Sequence, residues 1–233
     1  RDAARLVSQL PGITNLGQGL PEYPAPQILK DAAVAAINAD WNQYSNTWGY
    51  PQLREAIAGK MKHYNGIDAN PETEITVTVG ASEALNASLL ATVNPGDEVI
   101  VPPYTFIATA SAVLRVGAIP VFADIEPGTW GMNPDEAVKL ITPRTKAIMP
   151  VHFGGRIVDM DRFLAIGREH NVIILEDACH SWGGKWKNKG TGAIGLGGVF
   201  SFQVSKNIAS AEGGIILTDD QALADQCRSI TNC

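Results

Sequence analysis

The chain has 233 residues, which is long enough to bury one sizeable hydrophobic core. It is 45% hydrophobic and 18% charged, and no apolar run approaches the roughly 20 residues that a membrane helix needs. Its formal net charge of −6, without a Lys- or Arg-rich run, argues against nucleic-acid binding. We therefore expect a soluble globular protein without nucleic-acid or membrane partners.

Three cysteines, Cys179, Cys227 and Cys233, are an odd number in a chain of this length. They argue against a disulfide framework and for a reducing compartment. The first residues do not carry the apolar stretch and cleavage site of a secretory signal. We expect free thiols and a cytoplasmic protein and, because the chain does not begin with Met, a fragment of a longer one.

The first third of the chain predicts two amphipathic helices and one strand–turn–helix unit. Apolar residues recur at helical spacing over 26–39 and again from Gln52 to Lys62. The segment between them, 44–51, is rich in turn formers and aromatics and predicts a loop. A β-branched strand over 74–79 is then followed by Gly80 and a helical pattern to Leu90.

Strands and helices alternate through the rest of the chain. Strands are predicted at 97–101, 119–122, 146–151, 172–175, 198–202 and 214–218, and helices at 105–115, 135–140, 159–170 and from Asp220 onward. Such alternation is typical of an α/β fold, a three-layer sandwich whose mostly parallel sheet is covered by helices on both faces. Ligands in that architecture lie beyond the carboxyl ends of the strands.

Gly80-Ala81-Ser82 follows a predicted strand and opens a helix. The N–H groups and the positive dipole end of such a helix would suit a phosphate. The alternative is an ordinary glycine turn in which Ser82 caps the helix.

Asp177 and His180 follow the strand predicted at 172–175. A carboxylate at that edge can keep a pyridine nitrogen protonated, which makes a cofactor ring a better electron sink. His180 could reach the same ring if the segment turns. The alternatives are a helix-capping Asp177 and a His180 that belongs to the core or the surface.

Lys206 directly follows the strand predicted at 198–202. Partial desolvation at the mouth of a parallel sheet favours the neutral amine that attacks a carbonyl. Ser201 and Ser205 bracket it with hydroxyls that could bind phosphate oxygens. A solvent-exposed loop lysine is the alternative, and the catalytic interpretation depends on the phosphate turn, the acid and the amine occurring together.

From about residue 102 to 233 the chain resembles the DegT/DnrJ/EryC1/StrS family of sugar aminotransferases, which use pyridoxal 5'-phosphate (PLP). The segments that carry this resemblance are PYTFIAT (103–109), TPRTKAI (142–148), PVH (150–152), EDACH (176–180) and SFQVSKN (201–207). The resemblance implies that Lys206 is the Schiff-base lysine, that Asp177 lies at the pyridine nitrogen and that His180 lies near the ring hydroxyl. It also implies that Phe106 stacks on the ring and that Ser201 binds the phosphate.

The first hundred residues resemble class I aminotransferases of the same fold, the aspartate aminotransferase fold. The segments concerned are NLGQG (15–19), PAP (24–26), QY (43–44), GYPQLREAI (49–57) and ITVTVGASEA (75–84). This likeness implies that Tyr44 reaches the phosphate of the cofactor bound to a partner subunit. It also implies that Gly80, Ala81 and Ser82 bind the phosphate of the cofactor in their own subunit. The alternative for Tyr44 is an aromatic packed within its loop. A homodimer is expected, because Trp41, Trp48 and Tyr50 also look exposed in this loop.

The chain combines features of the two groups. Class I enzymes follow their lysine with a Gly-x-Arg-x-Gly segment, whereas residues 209–214 resemble the sugar aminotransferases, so the chain is mosaic. The small C-terminal domain that both groups use is not recognisable after Cys233. We expect an N-terminal arm over 1–20 and a PLP-binding large domain over 21–233. A recombined, engineered or reconstructed sequence, or the large-domain part of a longer one, would explain both observations.

The resemblance predicts a PLP-dependent transaminase that moves an amino group from a donor such as glutamate or glutamine to a keto acceptor such as a keto sugar. A PLP-binding domain with little or no turnover is the second interpretation. A third is a nucleotide-binding Rossmann protein, but the glycines of 192–198 precede a strand instead of following one. Dehydratases of the sugar branch carry histidine in place of the lysine, so Lys206 argues against that chemistry. No metal is expected.

Overall fold

The computed structural model describes Gly12 and residues 23–232. The N-terminal arm expected over 1–20 lies outside this part of the chain, apart from Gly12, and so does Cys233. The chain divides into two compact units, Arg1–Tyr44 and Ser45–Cys233. Each is described by itself.

The first unit contains helix α1, Gln27–Asn38, which confirms the helix predicted over 26–39. The fixed φ of Pro26, just before its first turn, suits a helix start. No residue of α1 is buried, and its apolar side chains, Ile28, Leu29, Val34 and Ile37, are exposed.

The second unit alternates strands and helices almost as predicted. Its helices are α2 (Pro51–Lys60), α3 (Ala81–Leu90), α4 (Ala108–Arg115), α5 (Pro134–Lys139), α6 (Met160–His170) and α7 (Gln221–Thr231), with a π-helix at Met61–Asn65 and a 3-10 turn at Phe153–Gly155. Its strands are β1 (Ile75–Thr78), β2 (Glu98–Val101), β3 (Ile119–Phe122), β4 (Thr145–Ile148), β5 (Ile173–Asp177), β6 (Lys185–Trp186), β7 (Lys189–Gly190), β8 (Gly197–Ser201) and β9 (Gly214–Leu217). The helix predicted from residue 105 begins three residues later, at Ala108.

Seven strands form one sheet in the order β1-β9-β8-β5-β4-β2-β3. The pairs β2–β3, β2–β4, β4–β5 and β5–β8 are parallel, whereas β9 runs antiparallel to both β8 and β1. The mostly parallel sheet is thereby confirmed. The short hairpin β6–β7 stands apart from it.

Helices cover both faces of the sheet, so inner strands such as β2, β8 and β9 are buried on both sides. Val99 and Val101 of β2 point into a core shared with α3, α4 and α7, whereas Ile100 between them points into a core shared with α5 and α6. A third cluster packs α2 against β1, β8 and β9. The predicted three-layer sandwich is therefore confirmed.

Two of the three aromatics expected to be exposed before α2 are partly buried. Trp48 is half-buried, with the guanidinium groups of Arg54 and Arg228 at 5.9 and 5.7 Å from its ring centroid, and Tyr50 is likewise half-buried. The expectation was wrong for these two because cationic side chains of the same unit cover Trp48. Trp41 is 56% exposed.

Within residues 23–232, no helix has the length and apolar character needed to cross a bilayer. Cys179 and Cys227 are free thiols.

Candidate active site

The register of three strands brings the turn before α3 next to the end of β8. Gly214 of β9 lies opposite Thr78 of β1 on one side and opposite Ser201 of β8 on the other. A Cβ at Gly214 would lie 2.6 Å from the backbone nitrogen of Ala81, so only glycine permits this approach. Ser201 and the Gly80-Ala81-Ser82 turn are therefore neighbours across one row of the sheet.

The turn leaves the start of α3 open to a ligand. Gly80 is the N-cap residue in extended conformation, and no side chain caps the helix, so Ser82 is not the cap that the alternative interpretation assumed. The side chain of Ser82 is exposed, and nothing lies within 4 Å of the position that a Cβ on Gly80 would take. Since the first N–H groups of a helix lack intrahelical partners, this end can bind an anion.

Asp177 is the last residue of β5 and is only 5% exposed. Its Oδ2 accepts a hydrogen bond from the Thr109 hydroxyl at 2.8 Å, and its Oδ1 accepts one from the backbone N–H of Cys179 at 3.2 Å. The carboxylate is thus held by donors at the carboxyl end of a parallel strand. It does not cap a helix.

His180 lies three residues further on, half-buried, in the turn that follows β5. Its Nδ1 accepts a hydrogen bond from the backbone N–H of Gly154 at 3.2 Å. Burial lowers the pKa of His180, the charge of Lys206 lowers it further, and Asp177 offsets part of this effect. A neutral ring whose Nδ1 is an acceptor carries its proton on Nε2, so His180 can donate from that atom.

Lys206 is half-buried in the loop after β8, as predicted from its position behind that strand. Its backbone N–H donates to the carbonyl of Gln203 at 2.8 Å, and the Ser210 N–H closes the base of the loop onto the carbonyl of Phe202. The Lys206 charge acts on both His180 and Cys179. The structure therefore brings Lys206, Asp177 and His180 into one electrostatic neighbourhood.

The Cys179 thiol lies close to Asp177 but is not a good nucleophile. Burial raises the pKa of Cys179 well above its ordinary value, and the charge of Asp177 raises it further. A thiol that stays protonated at neutral pH is a poor nucleophile and a poor metal ligand. No group of metal-binding side chains occurs among the described residues.

Ser201 is 3% exposed and is fixed by Trp182, a residue that sequence analysis did not identify. The Trp182 indole N–H donates to the Ser201 carbonyl at 2.8 Å, and the Trp182 ring packs against Phe200 and Phe202. The Nζ atom of Lys60 lies 4.6 Å from the centroid of the same ring. Burial lowers the pKa of Lys60 to about 8.

Two predicted ligands of the cofactor are exposed. Phe106 lies in the loop between β2 and α4 with 66% of its surface accessible, and the side chain of Tyr44, in the first unit, is fully exposed. The exposure of Tyr44 does not fit an aromatic that is packed within its own loop. The stacking role of Phe106 and the partner-site role of Tyr44 stay predictions.

Glu176 explains why the glycine-rich segment before β8 cannot bind a nucleotide. Its buried carboxylate accepts hydrogen bonds from the backbone N–H groups of Gly192, Ile194 and Gly195 at 2.8, 2.6 and 2.8 Å. It is also 3.0 Å from the Nε2 of His152, whose side chain is fully buried. These N–H groups are already satisfied by protein, so the Rossmann interpretation is wrong.

The motif at 142–148 has a structural role remote from the candidate site. The carboxylate of Glu98, at the start of β2, accepts hydrogen bonds from Thr142, Arg144 and Thr145. The Thr142 and Arg144 hydrogen bonds hold the pKa of Glu98 below its ordinary value. This cluster lies at the amino end of the strand, opposite the edge that carries Asp177.

The donor set at the carboxyl edge fits PLP. A buried carboxylate suits a protonated pyridine nitrogen, an uncapped helix start beside a buried serine suits a phosphate, and a half-buried lysine suits an aldehyde. The residues that would hold the group are Asp177, Ala81, Ser82, Ser201 and Lys206.

Comparison with known proteins places the chain among aminotransferases. The model of the DegT/DnrJ/EryC1/StrS aminotransferase family matches residues 55–233, so this likeness begins earlier than the expected residue 102. The spore coat polysaccharide biosynthesis protein SpsC of Bacillus subtilis is 42% identical in an alignment of 170 positions that covers 69% of this chain and 44% of SpsC. GDP-perosamine synthase of Caulobacter vibrioides is 46% identical over 146 residues, 62% of this chain and 39% of that protein.

Solved structures of aminotransferases share the fold. DesI, determined in the presence of its TDP-sugar product, is 30% identical with a TM-score of 0.76, over 91% of this chain and 51% of DesI. N-succinyldiaminopimelate aminotransferase from Mycobacterium tuberculosis is 25% identical with a TM-score of 0.82, over 99% of this chain and 64% of that enzyme. The chain thus spans about two fifths of these curated relatives and between half and two thirds of these structures.

Proposed function

Because the chain belongs to the DegT/DnrJ/EryC1/StrS aminotransferase family, we propose that it forms the cofactor-binding part of a PLP-dependent transaminase. The amino donor is glutamate or glutamine, and the acceptor is a keto sugar carried on a nucleotide. Similar proteins support these choices: one is a putative L-glutamine:3-amino-2,3-dideoxy-scyllo-inosose aminotransferase, another is GDP-perosamine synthase, and DesI was determined in the presence of its TDP-sugar product.

One observation carries the proposal. Asp177 at the end of β5, His180 in the turn after it and Lys206 after β8 lie at the carboxyl edge of two adjacent parallel strands, and the Lys206 and Asp177 charges both act on the pKa of His180. The anion-binding start of α3 lies beside Ser201 at the same edge. An amine, an acid and a phosphate site at one edge of the sheet match the aldehyde, the pyridine nitrogen and the phosphate of PLP.

When bound, PLP supplies an electron sink for the carbon that gains or loses the amino group. The Lys206 amine would hold the cofactor and, once released from it, would move a proton between that carbon and the ring system through its Nζ atom. Asp177 would keep the pyridine nitrogen protonated by a charge-assisted hydrogen bond.

The remaining residues of the site bind and orient. The N–H groups of Ala81 and Ser82 and the hydroxyl of Ser201 would hold the phosphate, which fixes the cofactor at one end. His180 would donate its Nε2 proton to the ring hydroxyl, as a neutral imidazole can. Thr109 orients the Asp177 carboxylate by the hydrogen bond already in place.

The test is an absorbance spectrum of the chain with PLP, before and after addition of L-glutamate or L-glutamine. We expect a donor-dependent loss of the band of the aldehyde form, slowed by orders of magnitude in Asp177→Asn. Asp225→Asn, an exposed carboxylate on α7, is the matched control and should behave as wild type. A chain that binds PLP but shows no change with any amino donor would refute the transaminase and favour a domain without turnover.

A further inference from the structure

A series of four aromatic rings leads away from the candidate active site. Its members come from loops after four different parallel strands: Phe153 lies 5.2 Å from His180, Tyr104 lies 4.6 Å from Phe153, and Trp130 lies 5.2 Å from Tyr104, measured between ring centroids. Exposure rises along the series. His180 and Phe153 are half-buried, whereas Tyr104 is 37% and Trp130 54% exposed.

The backbone holds Trp130 in a conformation that costs energy. Its φ is 62°, in the left-handed region that bulky side chains rarely adopt. The Trp130 N–H donates to the Glu126 carbonyl at 2.7 Å, and the Glu126 N–H donates to the Gly131 carbonyl at 2.9 Å. The Arg156 guanidinium adds a hydrogen bond to the carbonyl of Gly128 at 2.7 Å. These hydrogen bonds hold the backbone of the turn, and the Trp130 ring that it carries is 54% exposed.

We propose that Trp130, against which Tyr104 packs at an interplanar angle of 76°, forms the stacking surface for the nucleobase of a nucleotide-linked keto sugar. The proposal rests on the proposed function and adds where the remote end of the acceptor binds. An acceptor whose reacting carbon lies near His180 and Lys206 extends its far end along the rings toward solvent. Base stacking on an aromatic side chain needs no particular base edge, because every base has a π face.

The position of Trp130 permits a sharp test. Glycine adopts a φ of 62° without strain, so Trp130→Gly removes the ring and leaves the turn its backbone conformation. Trp130→Phe keeps an aromatic face. Tyr64→Ala removes an exposed aromatic ring from the π-helix of the same unit and serves as the matched control. Thermal melts of each variant would show that the fold is kept.

The measurement is isothermal titration of the full chain with GDP, with dTDP and with a hexose 1-phosphate, which has no base. We expect Trp130→Gly to weaken GDP and dTDP binding by about tenfold or more, and Trp130→Phe by less than about threefold. Tyr64→Ala should change neither, and hexose 1-phosphate should bind wild type and Trp130→Gly equally.

Equal affinity of wild type and Trp130→Gly for both nucleotides would overturn the proposal, and so would a wild-type chain that binds neither at millimolar concentration. An equal loss of hexose 1-phosphate binding would assign the ring to the sugar instead of the base and would also overturn it. Loss of nucleotide binding in Trp130→Gly, together with no donor-dependent spectral change in wild type, would leave this inference standing and remove the proposed transamination.

Discussion

The hydroxyl of Thr109 donates to the carboxylate of Asp177 across 2.8 Å, and both residues are buried. Thr109 lies in the first turn of α4 and Asp177 ends β5, so this hydrogen bond joins a helix to the strand edge that carries the candidate site. The Cys179 N–H holds the other carboxylate oxygen. Asp177 is therefore oriented by the protein before a ligand binds.

Replacing Thr109 by valine keeps the volume of the side chain and removes the donor. A hydrogen bond to a charged group contributes roughly 1.5–3 kcal/mol, so we expect Thr109→Val to weaken PLP binding by about tenfold or more. Thr109→Ser restores the hydroxyl and should bind PLP within about threefold of wild type. Titration of each protein with PLP, followed by absorbance, measures the dissociation constants. Wild-type affinity of Thr109→Val for PLP would contradict this role of the hydroxyl.

The positions of Lys206, Asp177 and the Gly80-Ala81-Ser82 turn could be predicted because each directly follows a strand that its sequence marks clearly. Thr109 could not be linked to Asp177, since 68 residues separate them and a threonine in a helix has no distinguishing pattern. The role of Trp182 could not be predicted either, because no pattern in the sequence distinguishes it from other aromatic residues. Its contact with the Ser201 carbonyl exists only after β8 and the turn after β5 are packed together.

The antiparallel direction of β9 could not be predicted from the sequence either. Gly214 begins a buried strand that reads like its parallel neighbours, and only the pairing with Thr78 and Ser201 shows its direction. Burial of Trp48 was missed for a similar reason, because Arg228 is distant in sequence. The features that could not be predicted are contacts between residues that lie far apart in the chain.

Glu176 should be a major contributor to stability. Its carboxylate accepts three backbone hydrogen bonds and pairs with His152 while fully buried. Glu176→Gln removes the charge and replaces one acceptor with a donor, so we expect the free energy of unfolding to fall by about 3 kcal/mol. Urea denaturation measures it. The control is Glu169→Gln, at an exposed position on α6, whose free energy of unfolding should stay within about 0.5 kcal/mol of wild type. A Glu176→Gln protein as stable as wild type would contradict this account.

His180 should make stability depend on pH in a defined direction. Burial lowers its pKa below the ordinary value of 6.5, with a further effect from Lys206, so the folded state binds fewer protons than the unfolded state between the two values. Its contribution is present above pH 6.5 and is lost as the pH falls through this window. Denaturation at several pH values should show that wild type loses more stability on acidification than His180→Gln. Parallel profiles would contradict the lowered pKa.

We propose that the protein forms a homodimer whose PLP sites lie near the interface and receive Tyr44 from the partner subunit. The fully exposed ring of Tyr44 supports this proposal. A ligand that binds only the assembled state favours assembly by mass action, so PLP should raise the dimer fraction in sedimentation velocity. Tyr44→Ala should abolish that increase. A wild-type chain that stays monomeric at micromolar concentration and binds PLP normally would refute the shared site.

The most direct test of the central claim is to identify the lysine that PLP modifies. The chain is incubated with PLP, reduced with borohydride and digested, and the labelled peptide is mapped by mass spectrometry. We expect the label on Lys206, because it follows β8 half-buried in the same electrostatic neighbourhood as Asp177 and His180. Lys206→Ala should lose it, whereas Lys60→Ala, which removes a lysine whose pKa burial lowers to about 8, should keep it. A label on another lysine in wild type, or equal labelling of wild type and Lys206→Ala, would contradict the assignment of this site.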